Sequence, residues 1–471
     1  MKSLPVFFIN AFLIFMVKTS LAQYPAQNIS LYANWHDSSV PAEPHYGIKY
    51  QGVWGYADTA NGKEYAIIGS SAGTYFIEVT NPLAPVVRDY VPGRRDSCIW
   101  REYKTFGKYV YMISDDPAPN SLQIADLSYL PDSVHVVYDD TTLFVHAHTL
   151  FVDNDKIYFG SVTQNNNFYA MAVYSLANPE LPSLIKGLNE SFLYSVHDMY
   201  VRNDTVYASW GYDGFYIYKF NSDSTFTTLG SLTSYPDQGY NHSSSLTPDG
   251  KTLVFCDEVP EGLAVKILDV SDFSDLTIKS TFKSNPGATA HNPYVVGNNK
   301  LVIAYYQDGI QIYDISNPSN PVRTGFFDTD TLNGLNNGYP DNPTYQGCWG
   351  AYTELPSGIL LASDMQNGLF VLNSTLALGI SDKGKTIAAD LIVYPNPSGS
   401  DFTLRFNLKK EQKVNYQITD LTGRTIANCE KNAPSGISDI LLEELKLSKG
   451  IYLLKFNSKE FCSTRKLIKT E

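Results

Sequence analysis

The chain has 471 residues, 13% of them aromatic with 34 tyrosines, but only 18% charged. That balance suits many short strands and turns better than helices, and the length exceeds what one core usually serves. The net charge is −13 at pH 7, and outside the C-terminal region and leader 20 basic residues face 38 acidic ones. Nucleic acid is thereby excluded as a partner, because phosphate binding needs clustered Lys and Arg.

In chain order, Met1 to Ala22 carries Lys2, an apolar run from Val6 to Val17 and the small residues Ser20 and Ala22 before Gln23. This is the pattern of a signal peptide (1–22). Its apolar core of about 12 residues is short of the roughly 20 that span a bilayer, and no later stretch comes close, so no transmembrane segment is expected after signal removal.

One unit then repeats. Its plainest copy, Leu301 to Phe327, has an apolar run, the turn Gln307-Asp308-Gly309, an alternating strand Ile310 to Ile315, and a break at Asn317-Pro318 and Asn320-Pro321 before a further strand. Similar paired strands begin at Tyr65, Tyr109, Ile157, Val206, Leu253 and Ile359. About ten residues upstream of each pair stands Trp54, Trp100, His148, His197, His242, His291 or Trp349, at successive spacings of 46, 48, 49, 45, 49 and 58. A period near 45–50 with four strands per repeat predicts an all-β fold, a seven-bladed β-propeller over residues 23–376. The last unit lacks a fourth strand, and an orphan strand at 28–35 is expected to complete it, closing the ring.

Residues 377–387 read as a polar linker. From 388 to 471 alternating strands and turns at Gly423 and Gly450 predict a small β-sandwich. With five cysteines there is no disulfide framework; Cys429 and Cys462 are candidates for pairing, which spacing does not decide.

The four histidines at one repeat position are expected at or just before the innermost strands, lining one sector of the channel. His146 shares the face of His148 in an extended strand. Imidazoles so gathered are a candidate site for a divalent metal or an anionic ligand, with Trp54, Trp100 and Trp349 as the aromatic members of the ring. The competing reading is structural, histidines bridging blades through the backbone. A second register, Asp115, Asp213, Asp257, Asp308 and Asp364, reads as turn chemistry rather than calcium binding. Trp210, Tyr212, Tyr305 and Tyr306, near blade loops, are weighed as sugar-stacking or packing aromatics. No nucleophile elbow, phosphate loop or dinucleotide fingerprint occurs.

Two resemblances follow from these motifs. Tyr394-Pro395-Asn396-Pro397-Ser398, Asp420-x-x-Gly423-Arg424, Leu447-x-x-Gly450-x-Tyr452 and the ending Arg465-Lys466-Leu467-Ile468-Lys469 resemble the type A sorting domain of the type IX secretion system. The resemblance implies a Bacteroidetes-type source, the type IX machinery as partner, and passage through the outer membrane to the cell surface or medium. Leu301-Val-Ile-Ala with Gly309-Ile-Gln-Ile-Tyr-Asp-Ile-Ser-Asn-Pro318, together with Gly347-Cys-Trp-Gly-Ala-Tyr352, resembles the LVIVD repeat of the choice-of-anchor B family. That resemblance implies an exported propeller and supplies no activity. The expectation is therefore a non-catalytic module binding a ligand, an extracellular glycan or a protein; the alternative is a metal-dependent enzyme using the channel histidines.

Overall fold

The computed structural model describes residues 24–470 except 117–118, 121, 165, 191–192, 331–344, 379–390, 395, 397, 399–400, 409, 421–423, 443–446 and 460–461. The leader, most of the linker, most of the 328–345 insert, and the sorting-motif residues Pro395, Pro397 and Gly423 lie outside the described residues. So do the side chains of Tyr394, Lys466 and Cys462. The chain divides into two units, Met1–Gly379 and Ile380–Glu471.

The described residues of the first unit form seven antiparallel sheets of four strands, one extended to five. The innermost strands are Tyr50–Asp58, Ile99–Phe106, Thr149–Asp153, Asp198–Arg202, Asn241–Leu246, Ala290–Val296 and Cys348–Tyr352. Each touches the next in this order, and Cys348–Tyr352 returns to Tyr50–Asp58, so the ring of sheets closes on itself as a β-propeller. Seven apolar clusters separate the sheets, one between each neighbouring pair. This explains the unbroken apolar runs. In Lys300–Tyr305, Leu301, Ile303 and Tyr305 pack toward the preceding sheet while Val302 and Ala304 pack toward the following one. Both faces of the strand are buried, and the polar alternation of a one-sided sheet disappears.

The N-terminal segment works as a tie. Ser30–Trp35 pairs antiparallel with Gly368–Asn373, from Trp35 opposite Leu369 to Ser30 opposite Asn373, as the outer strand of the last sheet. Just before it, Ala26–Gln27 pairs with Phe327 and Phe326 of the sheet before, a second anchorage that alternation alone does not suggest. The third repeat, where Gln164 to Asn167 replaces Asp-Gly, still pairs Gln164 with Asn167. Asn166 there takes φ +65°, and Asn tolerates that region better than most residues.

In the second unit, Leu391–Tyr394, Phe402–Leu408 and Gly436–Leu442 make one sheet; Gln412–Asp420, Thr425–Ala433, Gly450–Asn457 and Cys462–Lys469 make the other. Phe402, Leu404 and Phe406 of the first share a core with Val414, Ile418, Leu454 and Phe456 of the second, giving a sandwich. Tyr452 donates to the Ser448 carbonyl at 2.8 Å, and Arg465 Nε donates to the Leu391 carbonyl at 3.0 Å. The Asn396 side chain accepts from the Ile468 backbone N–H at 2.9 Å. Gly450 begins its strand opposite Lys469. Cys429 is a free thiol. Among the described residues no helix is long and apolar enough to cross a membrane.

Candidate functional site

The inner strands bring six side chains into a ring at one level of the channel. Its ring-to-ring centroid distances are 4.2 Å for His148–His197, 4.4 Å for His197–His242, 4.2 Å for His242–His291 and 4.2 Å for His291–Trp349. Trp349 then stacks on Trp100 at 4.8 Å. Local backbone irregularities produce this. His242, His291 and Trp349 each occupy an extra position where the strand register slips, and a bulge re-aims one side chain out of the sheet's alternation. Trp100 reaches the same place through a left-handed φ of +62°.

Trp54 is not in this ring, which corrects the equivalence drawn from spacing. The register slip of the first inner strand lies between Tyr50 and Val53, so Gln51 holds the corresponding place. Its amide donates to the Cys98 carbonyl and its oxygen accepts from the Arg101 N–H. Trp54 lies further along the same strand, its Nε1 donating to Thr105.

Three of the four ring histidines are oriented by the next sheet. The Nδ1 atoms of His197, His242 and His291 lie 3.1, 3.1 and 2.5 Å from the backbone carbonyls of His242, His291 and Trp349. A carbonyl only accepts, so Nδ1 carries the proton and Nε2 presents a lone pair. Burial holds His197 and His242 well below the usual imidazole range and pulls His291 down to about 3, so all three are neutral at pH 7. The His148–His197 contact joins the two Nε2 atoms at 2.8 Å. The donor is His148.

His148 and His146 form a charged pole. Burial opposes their protonation, yet the Asp115 carboxylate beside both raises them above the ordinary value. Asp115 Oδ2 lies 2.5 Å from His148 Nδ1 and Oδ1 contacts His146 Nε2. His146 Nδ1 donates to the Ser161 carbonyl at 2.8 Å, so this ring carries two protons. Burial works against the Asp115 charge, but the two imidazoliums hold its carboxyl well below the carboxylate range. Asp115 therefore has a pairing role, and the turn expectation fails for it because it lies within the strand Tyr109–Asp116.

Other members of the aspartate register are also engaged. Asp257 accepts from Lys266 at 2.6 Å, Asp308 from Ser284 and Asn285, and Asp364 from Thr329 and the backbone N–H groups of Gln366 and Asn367. Of the loop aromatics, Trp210, Tyr305 and Tyr306 are buried packing residues, while Tyr212 is 64% exposed.

The ring is one wall of a cavity of about 360 Å³. Two and four residues beyond Trp100, Glu102 and Lys104 line it, as do Asp198, Tyr200, Tyr294 and Tyr352 of other inner strands. The Lys104 ammonium sits 4.2 Å from the Trp54 ring and 5.9 Å from Phe151. Tyr352 meets Trp54 at 4.8 Å and Phe151 meets Tyr200 at 5.2 Å, so each ring beside the lysine is backed by a second, an aromatic collar of four rings on the cavity wall. Burial lowers the Lys104 pKa and raises those of Glu102 and Asp198. Thr149 donates to Asp198 at 2.9 Å and the Trp349 indole to Glu102 at 3.3 Å. The sequence reading missed these groups; the signal was the period of two within an inner strand, as in Glu102 and Lys104 or Asp198 and Tyr200.

Residues 392–470 match the family described as the secretion system C-terminal sorting domain. The chain is thus a cargo of type IX secretion, exported to the cell surface or the extracellular space. No curated protein matches it. Among solved structures it is similar to PorZ of Porphyromonas gingivalis, described as an essential bacterial surface component of the type-IX secretion system, at 12% identity and a TM-score of 0.38. That likeness covers 86% of this chain, which spans 64% of the PorZ structure. It is also similar to the WD40 β-propeller domain of Doa1, at 10% identity and a TM-score of 0.48, over 73% of this chain and 96% of that one.

Proposed function

We propose that this exported protein is a non-catalytic, seven-bladed binding module over residues 23–376, carried to the surface by the tail at 388–471, and that its ligand is a short glycan seated in the channel. The observation that carries the reading is the collar of Trp54, Phe151, Tyr200 and Tyr352, with Lys104 against two of its rings, in a cavity also lined by the half-buried acids Glu102 and Asp198. Sugars present apolar C–H faces to aromatic rings and hydroxyls to carboxyl and amide groups, and this wall offers both. A cavity of about 360 Å³ lies at the small end of the range for ligand pockets, roughly 300–1,000 Å³. The resemblance of the repeats to LVIVD propellers of the choice-of-anchor B family is consistent with a surface module without its own chemistry.

Three of the chain's five tryptophans, Trp54, Trp100 and Trp349, line the cavity, so tryptophan emission reports occupancy. Titrating the full-length protein with neutral and acidic oligosaccharides should give a saturable change. Trp54→Ala should weaken binding about 5- to 10-fold, the loss of roughly 1 kcal/mol of ring contact. Absence of any saturable response up to about 10 mM sugar, weaker than about 3 kcal/mol of binding, rejects the glycan reading.

A further inference from the structure

A second group of side chains uses the histidine ring together with Glu258, which lies outside the cavity lining. Glu258 directly follows the strand Thr252–Asp257, and its side chain is 11% exposed. The Tyr306 hydroxyl donates to Glu258 Oε1 at 2.6 Å, fixing the carboxylate. Glu258 Oε2 lies 3.9 Å from His242 Nε2, too far for a hydrogen bond. One ring nitrogen of His197, one of His242 and a Glu258 oxygen all lie within 4.8 Å of one another. Beside them His291 is 1% exposed and its Nε2 has no hydrogen-bond partner among the described residues.

This is a concentration of lone pairs. The three Nδ1 protons are committed to backbone carbonyls, so His197, His242 and His291 turn Nε2 acceptors inward, next to another acceptor; that of His197 meets the His148 N–H, and that of His291 has no hydrogen-bond partner among the described residues. Acceptors that face one another away from solvent are costly unless a cation lies between them. The backing is also what metal sites use: a ligating imidazole typically gives its other N–H to a carbonyl or carboxylate, which fixes the tautomer and ring plane, and a ligating carboxylate is itself hydrogen-bonded.

We infer that His197, His242 and Glu258 bind a divalent first-row transition-metal ion of the Zn²⁺ class, with His291 Nε2 placed beside it as a further donor. Two imidazoles and one carboxylate suit Zn²⁺ or Fe²⁺ and disfavour Ca²⁺ and Mg²⁺, which prefer all-oxygen shells. Bonds of about 2.0–2.1 Å to a tetrahedral ion set ligand atoms roughly 3.3 Å apart. The observed separations, 3.9 Å for His242 Nε2 to Glu258 Oε2 and up to 4.8 Å in the set, would contract to that value on binding. An ion bound there takes the His197 Nε2 lone pair that the His148 N–H otherwise uses, and the displaced proton leaves to solvent. The inference does not depend on the glycan reading, since Trp54 and Lys104 take no part in it.

The test uses the full-length protein without a histidine tag, loaded with Zn²⁺ alone, freed of excess, and assayed for metal per chain. Co²⁺ in place of zinc supplies a visible spectrum. The expected result is about one equivalent of Zn²⁺ and an intense Co²⁺ band of low coordination number. Glu258→Gln, which keeps shape and the Tyr306 contact, should lower affinity at least 10-fold, and His242→Gln should abolish the band. Tyr306→Phe should weaken binding about 10-fold through the carboxylate's orientation. Circular dichroism confirms that each variant is folded. Failure to retain zinc, or retention unchanged in folded Glu258→Gln and His242→Gln, overturns the inference.

Discussion

Lys266 is the residue whose replacement most directly tests how this propeller tolerates charge in its interior. Its ammonium lies 2.6 Å from Asp257 Oδ2, and both side chains are fully shielded from solvent. The Asp237 carbonyl accepts a second Lys266 hydrogen bond at 2.6 Å, and the Tyr235 hydroxyl donates to Asp257 Oδ1 at 2.8 Å. Lys266→Met preserves most of the volume but leaves the Asp257 carboxylate with donors from Tyr235 and Gly239 and no cation. Breaking a buried pair on one side costs about 3–5 kcal/mol, because a charge remains without its counter-ion. For a propeller of about 350 residues, an unfolding entropy near 2.1 cal/mol/K per residue converts this to a fall of roughly 4–7 °C in the melting midpoint. Adding Asp257→Asn to Lys266→Met removes the stranded charge while keeping an acceptor for Tyr235, so at least half of the loss should return. Calorimetry of the first-unit transition in the full-length protein measures both. A single variant within about 1 kcal/mol of the parent, or a double variant no better than the single, would refute the reasoning.

Two further predictions concern the same scaffold. Gly309 has φ +66°, and a Cβ there would meet the Phe327 carbonyl oxygen at 2.2 Å; Gly309→Ala should destabilise the propeller by more than about 2 kcal/mol in denaturant unfolding, from left-handed strain plus displaced backbone. Burial raises Asp364 to about 6 and Asp328 to about 7. Between the unfolded carboxylate value and these, the folded state holds protons that the unfolded state has released, so these two groups stabilise at acid pH and lose that contribution as pH rises through 6 to 7. The first-unit melting midpoint should therefore be higher at pH 5 than at pH 7.5, and Asp364→Asn should reduce the difference; an unchanged pH slope in that variant contradicts the assignment.

Much of the architecture was legible in one dimension because it is repetitive. A unit of fixed length whose central strands are apolar at every position has only stacked neighbours to bury both faces against, and Leu301 to Tyr305 states that requirement by itself. The missing fourth strand of the last unit likewise pointed to Ser30–Trp35. The sorting tail was legible for another reason, since its turn glycines and terminal basic strand stand in order over about 80 residues.

What only the tertiary structure decided is which side chains meet in the channel. A repeat period finds equivalent positions only where the backbone is regular, and the ring is built where it is not: register slips at His242, His291 and Trp349, and a positive φ at Trp100. The slip in the first sheet falls at Gln51 and not at Trp54, which lies further along the strand in the collar. Glu258 follows the strand paired with the one that carries His242, Asp115 came from the sheet before that of His146 and His148, and Lys104 was brought to Trp54 from an adjacent sheet. Such contacts depend on how sheets close around an axis. The sequence by itself determined the sheets and the repeated histidines; closure of the ring determined that their lone pairs converge.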